Sequence, residues 1–396
     1  MLFLFGAGAS KAAQIPDINE MTERFLKDPL RLADPDLKNK QYEALKSDVE
    51  VMAQITSNYY GRVDLEFLMS LILQLRESNF RDLVQYKYEG IKKITKEHLE
   101  YIRVLINEYI RKECEKIDAY SMEFLWPLTG LLEDDKPLKV FTLNYDGLVE
   151  AFCEGNDLSF SDGFSPYWDP ENFNDKKVNI YKLHGSLYWF KTKSGKMLRI
   201  PVKGMNLNKM KHLTDEPLSE IMIYPALQKN KHSQVYLWLH NKFLDEMKRE
   251  TDTCVIIGYS FRDEDVRNSI KDSLKVNKKL WLIVISPNSS VNRNNFFNDQ
   301  DQELISRIFC IDKTVQEVVR DRKIKKYIDS LRGARKIENE MWEILALEHE
   351  HIGLPGKVNQ AAGEYKHIGP DSIPHEIRRQ WIQNKLSQRK INIPSG

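Results

Sequence analysis

Cysteine and net charge are what this 396-residue chain has least of. Its 59 basic residues stand against 58 acidic ones, so no overall field draws it to nucleic acid or to an anionic membrane surface. Any such contact has to be local. The four cysteines, Cys114, Cys153, Cys254 and Cys310, form no Cys-x-x-Cys pair, and Cys254 and Cys310 sit in apolar runs of the buried-strand kind. That argues against a disulfide framework and a four-cysteine zinc site, and predicts a reduced, cytoplasmic protein. Long apolar runs are missing too. Residues 1–5 are too short for the apolar part of a signal peptide and carry no basic leader, and no other run approaches the length of a bilayer span, so no membrane contact is expected. The basic stretches 203–212 and 228–232 lack interleaved aromatics, which predicts a solvated face rather than direct nucleic-acid binding.

Six short apolar runs are present, each ending in small or polar residues: LFLFGAGAS (2–10), KVFTLNYD (139–146), VNIYKLHGS (178–186), CVIIGYSF (254–261), LWLIVISPN (280–288) and RIFCID (307–312). Near-continuous Val, Ile, Leu and Phe is the pattern of strands buried on both faces of a parallel sheet. In such sheets ligands bind beyond the carboxyl ends of the strands, so these polar endings are where chemistry collects. Between the first two runs lie about 130 residues with helical periodicity, for example DLEFLMSLILQLRES (64–78) and HLEYIRVLINEYIRKECEKI (98–117). They predict a helical module inserted after the first strand. An aromatic, Pro- and Gly-rich stretch (160–173) predicts an ordered loop, VYLWLHNKFLDEM (235–247) an amphipathic helix, and KIENEMWEILALEHEHI (336–352) a C-terminal helix. From 366 onward Lys366, Arg378, Arg379, Lys385, Arg389 and Lys390 outnumber Asp371 and Glu376, the composition of a solvated segment.

Gly6 and Gly8 let a backbone turn approach a phosphate, although Lys11 stands where a dinucleotide fingerprint has its third glycine. Asn144 and Asp146 follow the second run, His184 and Gly185 the third, Gly258 and Ser260 the fourth, Ser286 and Asn288 the fifth. Small residues, amides, hydroxyls and a carboxylate are the inventory of a nucleotide crevice. His184, of a residue type that titrates near pH 6.5, suits a general base; Asn144 both donates and accepts. Asp146 either caps the helix that starts at Gly147 or serves the chemistry.

In this order GAGAS…IPD, TLNYD (142–146), KLHGS (182–186), GYSF (258–261) and SPN (286–288) resemble the NAD-binding core of sirtuins, most of all the zinc-less sirtuin-like NAD hydrolases of bacterial anti-phage defence. The resemblance implies an α/β fold: a Rossmann-like parallel sheet of about six strands, a sirtuin-like core without the zinc module, over 1–20 and 137–312. A helical insertion would occupy 21–136, C-terminal helices 313–352 and a polar segment 353–396. It implies that Gly6, Ala7, Gly8, Ser10 and Asp17 bind the phosphate side of NAD, that Gly258, Ser260, Ser286 and Asn288 bind the adenosine side, and that Asn144, Asp146 and His184 are catalytic. Tyr224 and Pro225 would wall the pocket or merely pack, and Glu66 would lie on a helix surface.

Gln14 stands where a deacylase has glycine, Ile18 and Asn19 where it has Phe-Arg, and no cysteine lies between Cys153 and Cys254 to build a zinc ribbon. These departures favour hydrolysis of NAD to nicotinamide and ADP-ribose without a metal; the resemblance implies an abortive-infection effector restrained by homo-oligomerisation or by a partner such as an ATPase or a phage-derived protein. The alternatives are a sirtuin-type deacylase or ADP-ribosyltransferase, and a non-catalytic module that senses NAD or ADP-ribose.

Overall fold

The computed structural model describes residues 1–28, 39–76, 81–82, 84, 87–88, 90–91, 94–115, 117, 122, 125, 128–129, 132, 137–173, 177–200, 218–222, 234–297, 301–320 and 327–329. The chain divides into two compact units, one of Phe3–Glu123 and Asp134–Asp245, the other of Met1–Leu2, Phe124–Glu133 and Glu246–Gly396.

The strand β1 (Leu2–Phe5), whose four residues are all buried, runs into the first unit and is followed by the short helix α1 (Ala7–Lys11). Helix α2 (Ile18–Lys27) starts at a capping box: the Asp17 side chain accepts from the Glu20 backbone N–H and the Glu20 side chain from that of Asp17. Then come α3 (Asn39–Tyr60), α4 (Leu65–Leu75), capped by Asp64, and α5 (Lys96–Cys114), capped by Thr95. Their apolar faces pack on one another, with the rings of Phe25 and Tyr109 5.5 Å apart, and Thr22 Oγ1 accepts from the buried Leu65 N–H. The chain next forms β2 (Leu138–Thr142), α6 (Leu148–Gly155), the two-residue β3 (Phe160–Ser161) and β4 (Val178–Lys182), which pairs in parallel with β2 and with β3.

Beyond His184 the structure holds something not anticipated from sequence: an antiparallel sheet of β5 (Gly185–Thr192), β6 (Met197–Arg199) and β7 (Leu218–Met222), in the order β6-β5-β7. Its β5-β6 hairpin turns at KSGK (193–196), with Gly195 at φ +91°, a visible turn signal. The stretch 160–173 wraps its aromatics inward: Phe173 stacks on Tyr181 (4.5 Å between ring centroids) and on Trp238 (5.4 Å) of α7 (Gln234–Asp245).

The second unit carries β8 (Thr253–Ile257), α8 (Glu264–Val276), β9 (Trp281–Ile285), α9 (Ser289–Phe296), α10 (Gln302–Ile305), β10 (Ile308–Ile311) and α11 (Val315–Arg320). β9 pairs in parallel with β8 and β10. Asp263 caps α8 by accepting from the Val266 N–H. All six apolar runs of the sequence are strands of parallel sheet, in the order β1-β2-β4-β3 in the first unit and β10-β9-β8 in the second. The seventh strand, β3, is too short to have shown as a run. The expected helix at 336–352, the segment 353–396, the two basic stretches, and Tyr224 with Pro225 lie outside the described residues.

All four cysteines are buried. Burial pushes the thiols of Cys114 and Cys254 up, that of Cys153 to about 12 and that of Cys310 to about 11. At pH 8 roughly a thousandth or less of either Cys153 or Cys310 is thiolate, the nucleophilic form. Iodoacetamide should therefore label the native chain far more slowly than a free thiol and reach all four cysteines only in denaturant, as mass spectrometry would show.

Candidate active site

Parallel pairing sets the ends of β1, β2 and β4 side by side. The Leu143 N–H donates to Phe5 O (2.9 Å) and the Leu183 N–H to Thr142 O (2.9 Å), so the three polar endings emerge together. There Asn144 Nδ2 donates to Gly6 O (3.0 Å) and to Ser10 Oγ (2.7 Å), and Ser10 Oγ donates to Asp146 Oδ2 (2.6 Å). Ser10 and Asp146 are buried, and Asn144 is half-buried. With Nδ2 engaged twice, the orientation of the Asn144 amide is set and its Oδ1 remains an acceptor. Asp146 Oδ1 accepts from the Leu148 N–H (3.0 Å) at the start of α6, the capping contact weighed for it, while Oδ2 accepts from Ser10 Oγ.

His184 is 4% exposed, and its ring lies 6.4 Å from that of Tyr145. The Tyr145 hydroxyl donates to Glu66 Oε1 (3.1 Å) on α4. Glu66, expected on a helix surface, is thus half-buried against the turn that carries Asn144 and Asp146. Below the turn lie two charged groups that sequence reasoning missed. Lys182 Nζ donates to the backbone carbonyl of Asp146 and sits 3.0 Å from Glu150 Oε1. Burial raises the Glu150 pKa, and the neighbouring Lys182 charge offsets part of the rise. The signal for Lys182 was present, a lysine inside the apolar run VNIYKL, but nothing in that run says what it reaches.

Ala7 is exposed and Gly8 half-buried on α1. Asp17 is occupied locally: Oδ1 accepts from the Asn19 and Glu20 N–H groups, and Oδ2 meets Lys11 Nζ at 3.3 Å. Gln14 adopts φ +62°, the left-handed region that favours glycine.

The remaining expected residues belong to the second unit. Gly258, at φ +63°, donates its N–H to Ile285 O (2.8 Å) at the carboxyl end of β8. Ser260 and Asn288 are exposed; Ser286 is buried with no hydrogen-bond partner for its hydroxyl among the described residues. Among the described residues no group of three or more His, Cys, Asp or Glu could hold a metal ion, and no helix is long and apolar enough to cross a membrane.

A parallel α/β sheet with polar residues gathered at its strand ends is a ligand-binding architecture. Residues 138–305 match the family model described as the SIR2-like domain. No curated protein matches the chain. Among solved structures, an ADP-ribose complex of a mutant Sir2 homologue is similar at 13% identity and TM-score 0.38, covering 85% of this chain and 92% of that one. A complex of Sir2 with a p53 peptide and NAD+ is similar at 12% identity and TM-score 0.35, covering 83% and 93%.

Proposed function

We propose that this protein hydrolyses NAD to nicotinamide and ADP-ribose. The observation that carries the reading is the Gly6–Asn144–Ser10–Asp146 array, which joins the glycine turn to the asparagine and aspartate of the TLNYD motif. The match to a SIR2-like domain over 138–305 supports it. Nicotinamide leaves NAD from a cationic bond and needs no acid, so the barrier lies in the oxocarbenium-like charge and in placing a nucleophile. In this reading Asn144 Oδ1 holds a ribose hydroxyl or the attacking water. His184 accepts the proton that the water loses as its oxygen bonds to the anomeric carbon and neutral nicotinamide departs. Gly6, Ala7, Gly8 and Ser10 flank the phosphates. The adenosine-side assignment of Gly258, Ser260, Ser286 and Asn288, the part played by Asp17, and the role as an anti-phage effector restrained by self-association or a partner rest on the sequence resemblance alone.

Chromatography of nicotinamide and ADP-ribose after incubation of NAD with the purified chain tests the reading. Wild type should release both products in equal amounts, and Asn144→Ala and His184→Ala should each lose roughly 100-fold or more of that rate. Nicotinamide release that requires an acyl-lysine peptide would instead establish a deacylase. Tight NAD binding without breakdown would establish a sensor.

A further inference from the structure

We infer that the buried Lys182–Glu150 pair is a strut that positions the catalytic turn, holding the Asp146 carbonyl so that Asp146 and Asn144 meet Ser10 in the geometry described; the inference rests on the hydrolase reading for its consequence in rate. Lys182 is 1% exposed and Glu150 8%. Lysine and glutamate are almost never buried so fully unless paired, and a buried ion pair is commonly no more stabilising than apolar residues of the same volume. Stability alone is therefore a poor reason for this pair. The second oxygen of Glu150, Oε2, is buried without a hydrogen-bond partner among the described residues, which makes the pair poorer still as a stabilising device.

What the pair does geometrically is specific. Lys182 is the last residue of β4, opposite Thr142 at the end of β2, and lies two residues before His184. Its ammonium reaches across to the backbone carbonyl of Asp146, while Glu150, in the first turn of α6, holds the same ammonium from the far side. Asp146 is thereby held three times: by the Leu148 N–H and the Ser10 hydroxyl on its side chain, and by Lys182 on its backbone. The turn is closed elsewhere by the Tyr188 ring, which lies so near Gly147 that a Cβ there would fall 2.8 Å from Cε2. One lysine thus couples the strand that carries the candidate base to the turn that carries the other catalytic side chains.

The experiment is the double variant Lys182→Met/Glu150→Leu in the full chain, with melting temperature, NAD kinetics and a crystal structure read together. Removing both charges avoids leaving one buried and unpaired, so the melting temperature should stay within roughly 5 °C of wild type. The turn should shift so that Ser10 Oγ and Asp146 Oδ2 no longer hydrogen-bond, and kcat should fall by roughly 10- to 100-fold with KM changed less than about 3-fold. A folded double variant with an unmoved turn and wild-type kcat overturns the strut and leaves the hydrolase reading standing. A wild type that does not break down NAD, beside a displaced turn in the variant, sinks the hydrolase reading and leaves the strut standing. If the double variant does not fold, the single variant Lys182→Met decides, assayed below its melting midpoint: it removes the donor to the Asp146 carbonyl, so kcat should fall about tenfold or more with KM changed less than about 3-fold, and a wild-type kcat overturns the proposal.

Discussion

Asp146→Ala is expected to remove NAD breakdown and to destabilise the chain at the same time. The substitution leaves the buried Ser10 hydroxyl without its acceptor and the Leu148 N–H without its cap. An orphaned buried hydroxyl costs about 1–3 kcal/mol and a lost N-cap about 1, so the sum is roughly 2–4 kcal/mol. For a chain of this size that lowers the melting temperature by roughly 2–5 °C. With Ser10 released, Asn144 Nδ2 loses a fixed partner and the amide no longer presents its oxygen in one place, so turnover should fall by roughly 100-fold or more. Asp146→Asn separates the two effects. Its oxygen still serves Leu148, but its NH2 faces a serine oxygen that already accepts from Asn144, and the serine proton is left without a partner. Melting should stay within about 1–2 kcal/mol of wild type while turnover still drops. Calorimetry beside the chromatographic assay reads both, and an Asp146→Ala chain that melts and turns over as wild type would contradict the array.

Gly163→Ala should give a comparable loss of stability with the opposite catalytic signature. Gly163 sits at φ +87°, and a Cβ there would lie 2.3 Å from Trp168 Cζ3 and 2.9 Å from Phe173 Cε2. The backbone conformation costs about 1–2 kcal/mol for an L side chain, and overpacking adds about 1–3. Neither ring can step aside freely: Phe173 is stacked on Tyr181 and on Trp238, and Trp168 meets Trp189 at 6.0 Å. The melting temperature should fall by roughly 2–6 °C. Because Gly163 touches none of the residues assigned to the reaction, kcat measured well below the new midpoint should remain near wild type. Unchanged melting would mean that the aromatic loop packs otherwise than described.

Between sequence and structure the division of information follows the range of the interactions. The chain's local patterns determined the parallel α/β class and six of the seven strands, because two-sided burial leaves a continuous apolar run. They also marked the polar strand endings as the place for chemistry. The β5-β6-β7 sheet was legible only as the KSGK turn, since β7 reaches β5 from across a long stretch of chain. Which endings meet was decided by tertiary structure alone. Ser10 and Asp146 are 136 positions apart and become hydrogen-bond partners only because β1, β2 and β4 are neighbours. In sequence Glu66 reads as a helix-surface glutamate, and Lys182 passes unmarked inside an apolar run. The fold turned the first into the acceptor for Tyr145 and the second into the ion that holds Asp146, because in a dehydrated interior every charge must find its partner wherever the chain has brought one.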